Sequence, residues 1–301
     1  MNDKTFRTSE LVSTAPRPDT IATIQVLNPS TMPVTGTAAT ASKATLFKSL
    51  HHTPTKPLLL ANAYDATSAR IIASLPGCRA LATASYALAL SIGKTDETLT
   101  LEDNISLCRP IAAVAHEFNL PLTVDIQDGY AGPGDHAELR SVIEKVILEL
   151  GAVGVNLEDS WHESTSGDMV PEDEAIERIK TVIRTARELG VVDFVVNARS
   201  DTFLMGGSLD ESIRCGKRYL DEGGAETVFI FWPRNKEMEK ADVQKVIDEL
   251  GGRVNVSCRL GGQLTTRELG EMGAARVSVG PQVFLAAAEA IKKAAGAVFE
   301  S

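Results

Sequence analysis

Short apolar runs alternate with longer amphipathic segments from about residue 43 onward. The runs are rich in Ala, Val, Leu and Ile and have the length of buried strands. The eight runs are Leu58–Ala63, Ala80–Ala84, Leu122–Ile126, Val153–Leu157, Phe194–Ala198, Thr227–Phe231, Val254–Cys258 and Arg276–Val279. Strands that alternate with helices indicate parallel pairing through right-handed crossovers.

The segments between the runs have the spacing of amphipathic helices. They include Ala137–Leu150, Pro171–Leu189, Leu209–Glu222 and Lys240–Leu250. Glycine is the preferred residue just after a helix. Each of these four segments is followed directly by a glycine, namely Gly151, Gly190, Gly223 and Gly251. The Ala-rich stretch Pro281–Phe299 predicts a long last helix, which either closes the domain or packs on a neighbouring subunit.

Eight strand–helix units in roughly 250 residues predict an α/β fold of the (β/α)8 barrel (TIM barrel) type. The alternative is a doubly wound open sheet, which usually has a Gly-rich phosphate turn after its first strand. Here the first run continues into Asn62-Ala-Tyr-Asp-Ala-Thr-Ser-Ala-Arg70, without a GxGxxG pattern. We therefore predict a barrel over residues 43–301. Residues 1–42 are rich in Ser, Thr, Pro and Ala, and we expect a flexible arm or a segment that lies over another subunit.

Composition and charge restrict the function classes. The formal net charge of the 301-residue chain is −10, which argues against a nucleic-acid partner because phosphate contacts need clustered Lys and Arg. No apolar run approaches the roughly 18–20 residues of a membrane span, and the first residues do not form a secretory signal. We expect a cytoplasmic protein. A mitochondrial location is the alternative, although Asp3, Glu10 and Asp19 are unusual in a transit peptide.

The cysteine pattern agrees with a reducing compartment. The four cysteines are far apart and form no CxxC pair, so we predict buried free thiols. No His/Cys cluster has the spacing of zinc ligands, and zinc is therefore not expected.

Polar residues follow the predicted strands where barrel enzymes build their sites. The third run contains Asp125 and is followed directly by Gln127, and Glu158 directly follows the fourth run. Hard cations such as Mg²⁺ and Mn²⁺ prefer oxygen ligands of this kind and keep several waters. The alternative for each acid is a helix cap or a solvated loop position. Together, at the ends of neighbouring strands, they predict one metal site.

Two other strand ends offer groups for an anion. Arg199 directly follows a buried run, where a charge needs an anion or an ion-pair partner. Its planar fork suits a substrate carboxylate. The alternative is a structural ion pair with Asp201 or Glu158. The second run ends in Thr83-Ala-Ser-Tyr86, whose hydroxyl and backbone N–H groups are able to cradle a carboxylate.

Two loops complete the candidate site. Ser160–Met169 follows the fourth run and has the position of a lid that shields a reactive intermediate from water. His162 and Glu163 are its acid–base candidates, and the alternative for His162 is a solvated loop position. Asp96 follows the second run and either joins the outer shell of the metal or caps the helix near Leu101.

These motifs resemble the isocitrate lyase / phosphoenolpyruvate mutase superfamily over roughly residues 45–295. Asp125-Ile-Gln-Asp-Gly-Tyr130 is similar to its Asp-x-Asp-x-Gly-Tyr signature. Three other motifs match in the same order, namely Asn62–Arg70, Gly151–Asp159 and Asn197–Asp201. The resemblance implies a (β/α)8 barrel that is a homo-oligomer, a dimer or often a tetramer with an exchanged last helix. It also implies Mg²⁺-dependent chemistry on small 2-oxo or 2-hydroxy acids through an enolate-like species.

The resemblance further implies roles for individual residues. Asp125 would ligate Mg²⁺ directly, and Asp96 and Glu158 would hold its waters. Arg199 would hold a carboxylate, and Ser85 would cradle the carboxylate end of the substrate. On the same motifs we predict Gln127 in the metal region, His162 with Arg199 and Glu158 as catalytic residues, and Tyr64, Thr83 and Asn255 as further substrate-binding residues.

Two departures from the superfamily pattern leave the reaction open. Gln127 replaces the second acid of the metal signature, which removes one negative charge. The loop Ser160–Met169 contains neither the Lys-Lys-Cys-Gly-His type sequence of the lyase branches nor the lysine and asparagine of the phosphonomutase branch. The run from Arg253 to Gly280 is most similar to phosphonomutase-like members, whose substrates are diverse.

The sequence therefore predicts a Mg²⁺-dependent enzyme acting on a small carboxylic acid. The first hypothesis is cleavage of a C–C bond of a 2-oxo or 2-hydroxy dicarboxylic acid by a lyase, hydrolase or decarboxylase. The second is P–C bond chemistry, as in a phosphonomutase. The third, from a different class, is a barrel without catalysis that serves as a binding protein.

Overall fold

The computed structural model describes residues 37–53, 55–162, 168–233 and 238–300. The strands are β1 Leu58–Leu60, β2 Asn62–Ala63, β3 Leu81–Thr83, β4 Leu122–Asp125, β5 Gly154–Glu158, β6 Val195–Ser200, β7 Thr227–Ile230, β8 Asn255–Ser257 and β9 Arg276–Ser278. The α-helices are α1 Thr37–Ser49, α2 Ala66–Ala73, α3 Ser85–Ser91, α4 Leu101–Glu117, α5 His136–Leu150, α6 Glu172–Glu188, α7 Leu209–Asp221, α8 Lys240–Glu249, α9 Thr266–Glu271 and α10 Gln282–Phe299. No helix within these ranges is long and apolar enough to cross a membrane.

The parallel strands form a closed ring. Six strands pair in the order β2-β3-β4-β5-β6-β7, and three pair in the order β1-β9-β8. Only Ala61 separates β1 from β2. At the opposite edge, the Val228 N–H donates to the Arg253 carbonyl oxygen at 2.9 Å, beside a parallel bridge between Val228 and Val254. The predicted (β/α)8 barrel is confirmed, and the doubly wound alternative is wrong because an open sheet would have two free edges.

The elements agree closely with the apolar pattern. All eight predicted strands occur, the first of them divided into β1 and β2. The four named middle helices differ from the prediction by one residue at one end, or at both ends in the case of α6. β6 continues to Ser200, although the apolar run ends at Ala198. It does so because Arg199 and Ser200 still pair with Phe229 and Ile230 of β7. The strand therefore carries a charged residue, Arg199, within its paired length.

The N-terminal helix begins before the predicted start of the barrel. α1 starts at Thr37, six residues ahead of residue 43, and buries Thr40, Ala44 and Phe47. The Phe47 ring lies against the first residue of β5, where a Cβ on Gly154 would be 3.0 Å from Phe47 Cε1. The rest of the predicted arm, residues 1–36, lies outside the described residues.

The last helix has an exposed apolar face. No side chain of α10 is buried, and Ile291, Val298 and Phe299 are 69%, 69% and 87% exposed. Near its start, the Phe284 ring meets the Tyr64 ring edge-on, with centroids 5.0 Å apart. An exposed apolar surface of this kind often marks a site of interaction with another protein.

Gly129 allows the tight turn that follows β4. Its φ is +83°, and its N–H donates to the Ile126 carbonyl oxygen at 2.7 Å. A Cβ at this position would lie 2.7 Å from Leu139 Cδ1 and 3.2 Å from Arg178 Nη2. We expect Gly129→Ala to lower the free energy of unfolding by about 2–4 kcal/mol, since left-handed strain and overpacking add.

Urea denaturation measures this change, and Gly132→Ala is the matched control. Gly132 lies in the same loop, and a Cβ there would contact nothing within 4 Å. Equal losses of stability in the two variants would contradict the steric explanation.

Candidate active site

Asp125, the last residue of β4, is held by groups from its neighbours. The Ser85 N–H donates to Asp125 Oδ2 at 2.9 Å, and the Asp125 N–H donates to Thr83 Oγ1 at 3.0 Å. The side-chain amide of Asn104 donates to the Asp125 carbonyl oxygen at 2.9 Å. Backbone and carboxylate are thus both oriented at the C-terminal end of the barrel.

Asp96 is a second acid near Asp125, and Gln127 binds it. Gln127 is buried in a left-handed conformation with φ +51°, and its Nε2 donates to the Asp96 carbonyl oxygen at 2.8 Å and to Asp96 Oδ1 at 3.0 Å. Burial raises the pKa of Asp96, and the charge of Asp125 adds to this, while a hydrogen bond from Ser85 opposes it. The neutral amide therefore anchors Asp96 without adding a third negative charge.

Glu158 and Arg199 meet at the ends of β5 and β6. They are register partners, and Arg199 Nη1 forms an ion pair with Glu158 Oε2. Arg199 also donates from Nε to Asp201 Oδ1 at 2.7 Å and from Nη2 to Asp201 Oδ2 at 3.0 Å. The structure shows the ion pairs that were the alternative for Arg199, and carboxylate binding by this residue stays a prediction.

His162 also belongs to this group of charged side chains. We call His162, Glu158, Arg199 and Asp201 the ion cluster. His162 Nε2 forms a hydrogen bond with Glu158 Oε1. Burial lowers the pKa of His162, but the hydrogen bond and charge of Glu158 outweigh it, and the pKa rises to about 9. Burial also raises the pKa of Glu158, although Arg199 and His162 oppose this. His162 and Arg199 therefore flank the two oxygens of one buried carboxyl group.

Behind the ion cluster, a second set of buried contacts holds Asp201. The Asp201 N–H donates to Asp159 Oδ1 at 2.6 Å, and the Tyr219 hydroxyl donates to Asp159 Oδ2 at 2.7 Å. Ser160 Oγ donates to Asp201 Oδ2 at 2.6 Å. The guanidinium of Arg199 lies over the Phe231 ring, with Cζ 4.1 Å from the centroid. Arg199 is therefore oriented on several sides.

Sequence reasoning missed Phe231 and Tyr219 as parts of this site. Phe231 ends an apolar run, so its place at a strand end was a usable signal. Tyr219 lies on α7, and its partner Asp159 is 60 residues away in the chain. No local pattern marks such a contact.

The start of the predicted lid is anchored on the loop after β4. The His162 and Tyr130 N–H groups donate to the two carboxylate oxygens of Asp128, each at 3.0 Å. Arg178, buried on α6, donates to the Asp128 carbonyl oxygen, and its Cζ lies 4.7 Å from the centroid of the Trp161 ring. Residues 163–167, which include the predicted acid–base candidate Glu163, lie outside the described residues.

The other predicted substrate-binding residues have different surroundings. Thr83 and Ser85 contact Asp125, as described above. Tyr64 is half-buried beside α10, and Asn255 is buried at the start of β8, where its Nδ2 donates to Ser278 Oγ at 3.1 Å. In the described ranges, no hydrogen bond joins Tyr64 or Asn255 to Asp125 or Glu158, so their roles stay predictions.

The donor set is compatible with a hydrated hard cation. In the part of the chain that the structure describes, no group of three or more His, Cys, Asp or Glu side chains forms a ready metal cluster. Mg²⁺ is often bound through only one or two carboxylates while it keeps several waters. The oriented carboxylate of Asp125, with the neighbouring Asp96, fits this mode of binding.

Comparison with known proteins agrees with the fold. Residues 47–299 match the family described as phosphoenolpyruvate phosphomutase. An uncharacterized protein of Mycobacterium tuberculosis is 31% identical over 259 residues, which cover 84% of this chain and 88% of the relative.

Solved structures show the same similarity. A Burkholderia cenocepacia protein provisionally named a phosphonomutase is 32% identical, with a TM-score of 0.73, over 87% of this chain and 99% of that chain. A 2,3-dimethylmalate lyase of the PEP mutase/isocitrate lyase superfamily shares the fold at 24% identity, with a TM-score of 0.72, over 86% of this chain and 87% of that chain. The chain therefore belongs to the phosphoenolpyruvate phosphomutase family, a family of enzymes.

Proposed function

We propose that this chain is a Mg²⁺-dependent enzyme that cleaves a C–C bond of a small 2-oxo or 2-hydroxy dicarboxylic acid through an enolate-like intermediate. The reaction would be that of a lyase, hydrolase or decarboxylase. The observation that carries the proposal is that an oriented carboxylate, Asp125, and the Glu158–Arg199 pair lie at the same end of three neighbouring strands. We call this end of the barrel the mouth. It offers oxygen ligands for a metal and a cation for a carboxylate.

The acids of the mouth would hold the metal. Asp125 would be the direct ligand, with Asp96, Gln127 and Glu158 placed to hold its waters, and Mn²⁺ would use the same donors. When bound, Mg²⁺ supplies Lewis-acid polarisation of the substrate carbonyl.

The protein side chains would bind and orient the substrate. Arg199 would hold one carboxylate, since Asp201 and Phe231 already fix its guanidinium. Ser85 would cradle the other carboxylate. Donors oriented before the reaction stabilise the developing negative charge of an enolate at little reorganisation cost.

His162 would return the proton. Glu158 raises the pKa of His162 to about 9, which favours the proton-carrying form, and His162 lies at the start of the predicted lid. We expect His162→Gln to lower kcat by about 10²–10⁴-fold, the range for general acid–base catalysis, with a much smaller change in KM. Steady-state kinetics on the first substrate found measures both constants, and wild-type kcat would remove His162 as the proton donor.

P–C bond chemistry is the second candidate. It is favoured by the description of the matching family and by the name of the Burkholderia neighbour at 32% identity. A binding protein is the third candidate, because Gln127 leaves the metal region with one acid fewer than the superfamily signature.

An assay of the full chain with Mg²⁺ distinguishes the three candidates. The panel contains 2-oxo and 2-hydroxy dicarboxylic acids and phosphono acids, and oxalate serves as a mimic of the pyruvate enolate. C–C cleavage of a dicarboxylic acid is the expected result. Turnover of phosphono acids alone would assign P–C chemistry, and a rise in Tm with oxalate without any turnover would assign a binding protein. Neither turnover nor a rise in Tm would refute the proposed site.

We also propose a homo-oligomer, a dimer or tetramer, in which a second copy covers α10. The exposed side chains of Ile291, Val298 and Phe299 support this proposal. A monomer in light scattering at micromolar concentration would contradict it. The small carboxylic acid remains the only other partner that we propose, and a cytoplasmic location stays a prediction.

A further inference from the structure

Arg276, the first residue of β9, is fully buried inside the barrel. Its side chain crosses the interior to β5, four strands away in the ring, where Nη2 donates to Asn156 Oδ1 at 3.0 Å. Its Nε and Nη1 have no hydrogen-bond partner among the described residues. Burial lowers the pKa of Arg276 to about 9, and the charge of Asp125 opposes this. An arginine guanidinium keeps its proton in proteins, so this side chain is a cation at neutral pH.

The acceptor of Arg276 belongs to a row of polar side chains across three strands. Asn197 Nδ2 donates to the same Asn156 Oδ1 at 2.9 Å, and Thr227 Oγ1 donates to Asn197 Oδ1 at 2.6 Å. We call these three side chains, the amides of Asn156 and Asn197 and the hydroxyl of Thr227, the amide row. Because alternate residues of a strand face the same side, the next interior residues on β5 and β6 are Glu158 and Arg199.

The amide row is also level with the predicted metal ligand. Asn156 is the register partner of Asp125 on β4 and of Asn197 on β6. The guanidinium of Arg276 therefore reaches the level of Asp125, which lies two residues along the strands before the level of the Glu158–Arg199 pair. A charge in this position acts on the site with little screening, because the barrel interior has a low dielectric.

Stability of the fold does not account for a cation here. Barrel interiors are usually filled by branched apolar side chains. A buried guanidinium with a single acceptor is costly, and replacing a buried ion with an apolar residue of similar size is often neutral or stabilising. The benefit of Arg276 therefore lies in its effect on the neighbouring groups.

We propose that Arg276 is a positioning residue of the active site. It holds the amide row in place under the Glu158–Arg199 pair, and it keeps a positive charge near Asp125 that favours an anionic ligand in the mouth. This inference rests on the proposed function, in which a carboxylic acid binds beside Asp125. The positive charge of Arg276 and the neutral side chain of Gln127 act in the same direction, since both make the mouth less negative.

Calorimetric titration of the full chain with Mg²⁺ alone, and with oxalate at saturating Mg²⁺, tests the proposal. Arg276→Met removes the charge and the bond to Asn156. We expect the Kd of oxalate to rise by roughly 10- to 100-fold, the range for residues that orient a site from behind its ligands. Mg²⁺ alone is expected to bind at least as tightly as to the wild type, because a like charge has been removed. Tm is expected to stay equal or to rise.

Two further variants separate this role from a purely structural one. Arg276→Lys keeps the charge and is expected to recover part of the oxalate affinity. Arg253→Met is the matched control, because the side chain of Arg253 is half-buried and donates only to the Ala225 and Glu226 carbonyl oxygens among the described residues. It is expected to bind oxalate like the wild type.

The outcomes distinguish this inference from the proposed function. Unchanged oxalate affinity in Arg276→Met, an equal loss in Arg253→Met or in Arg276→Lys, or weaker binding of Mg²⁺ alone would overturn the role of Arg276. A wild-type chain that binds Mg²⁺ but no oxalate would refute the proposed function. Tighter binding of Mg²⁺ to Arg276→Met would then still support the charge effect. A wild-type chain that binds neither would overturn both.

Discussion

Replacing Asp125 with alanine is expected to abolish Mg²⁺-dependent oxalate binding while the barrel stays folded. Asp125 is the acid that we propose as the direct metal ligand, so its loss should exceed the roughly 10- to 100-fold effect of an outer-shell partner. The backbone contacts of Asp125 with Thr83 and Asn104 do not need its side chain. The Ser85 N–H loses its acceptor, which is expected to lower the free energy of unfolding by about 1–3 kcal/mol.

Calorimetry with and without Mg²⁺ measures the binding, and circular dichroism with urea denaturation monitors the fold. Asp125→Asn is the matched variant, because it keeps the shape and one acceptor while it removes the charge. Asp221→Ala, at the exposed end of α7, controls for the loss of an acid elsewhere. Mg²⁺-dependent binding of wild-type strength in Asp125→Ala would show that the metal assignment is wrong.

Replacing Arg199 with methionine is expected to cause the largest loss of stability and the loss of oxalate binding. Glu158 and Asp201 are almost completely buried, and both form ion pairs with Arg199. Removing one partner of a buried ion pair typically costs about 3–5 kcal/mol, because the remaining charge is left uncompensated. Oxalate binding should be lost in the same variant, because the proposed cation for the carboxylate is gone.

Three comparisons make this expectation specific. Arg199→Lys keeps the charge but not the planar fork, so it should recover stability more than oxalate affinity. In the double variant Arg199→Met with Glu158→Gln, one uncompensated charge is absent, and part of the stability should return. Arg214→Met removes an exposed partner of Glu172 and is expected to change stability little. Wild-type stability of Arg199→Met in urea would refute the buried ion cluster.

The candidate site was accessible from the sequence only as a set of strand ends. The third, fourth and fifth apolar runs lead directly into Asp125, Glu158 and Arg199. In a parallel barrel all strands end on the same side, so their convergence follows from the fold class. Their pairing does not follow, because it depends on the register that places Glu158 opposite Arg199. That register is set by packing of the whole barrel.

Contacts from helices and from opposite strands were beyond the reach of the sequence. Tyr219 reaches Asp159 from α7, and Arg276 reaches Asn156 across the barrel. Each pair is separated by 60 or 120 positions in the chain. Arg276 is the first residue of an apolar run, and this position in the sequence indicates a strand residue but no functional role.

The sequence by itself determined the alternation of strands and helices, the barrel class, and which strand ends carry acids and a cation. It could do so because side-chain periodicity reflects local backbone geometry, with a period of 2 in strands and 3.6 in helices. Only the tertiary structure decided where α1 begins and how the ring of strands closes. It also decided that His162 and Arg199 share Glu158 and that the buried Arg276 reaches Asn156, the register partner of Asp125. These features depend on register and on packing between distant segments, and no local pattern encodes them.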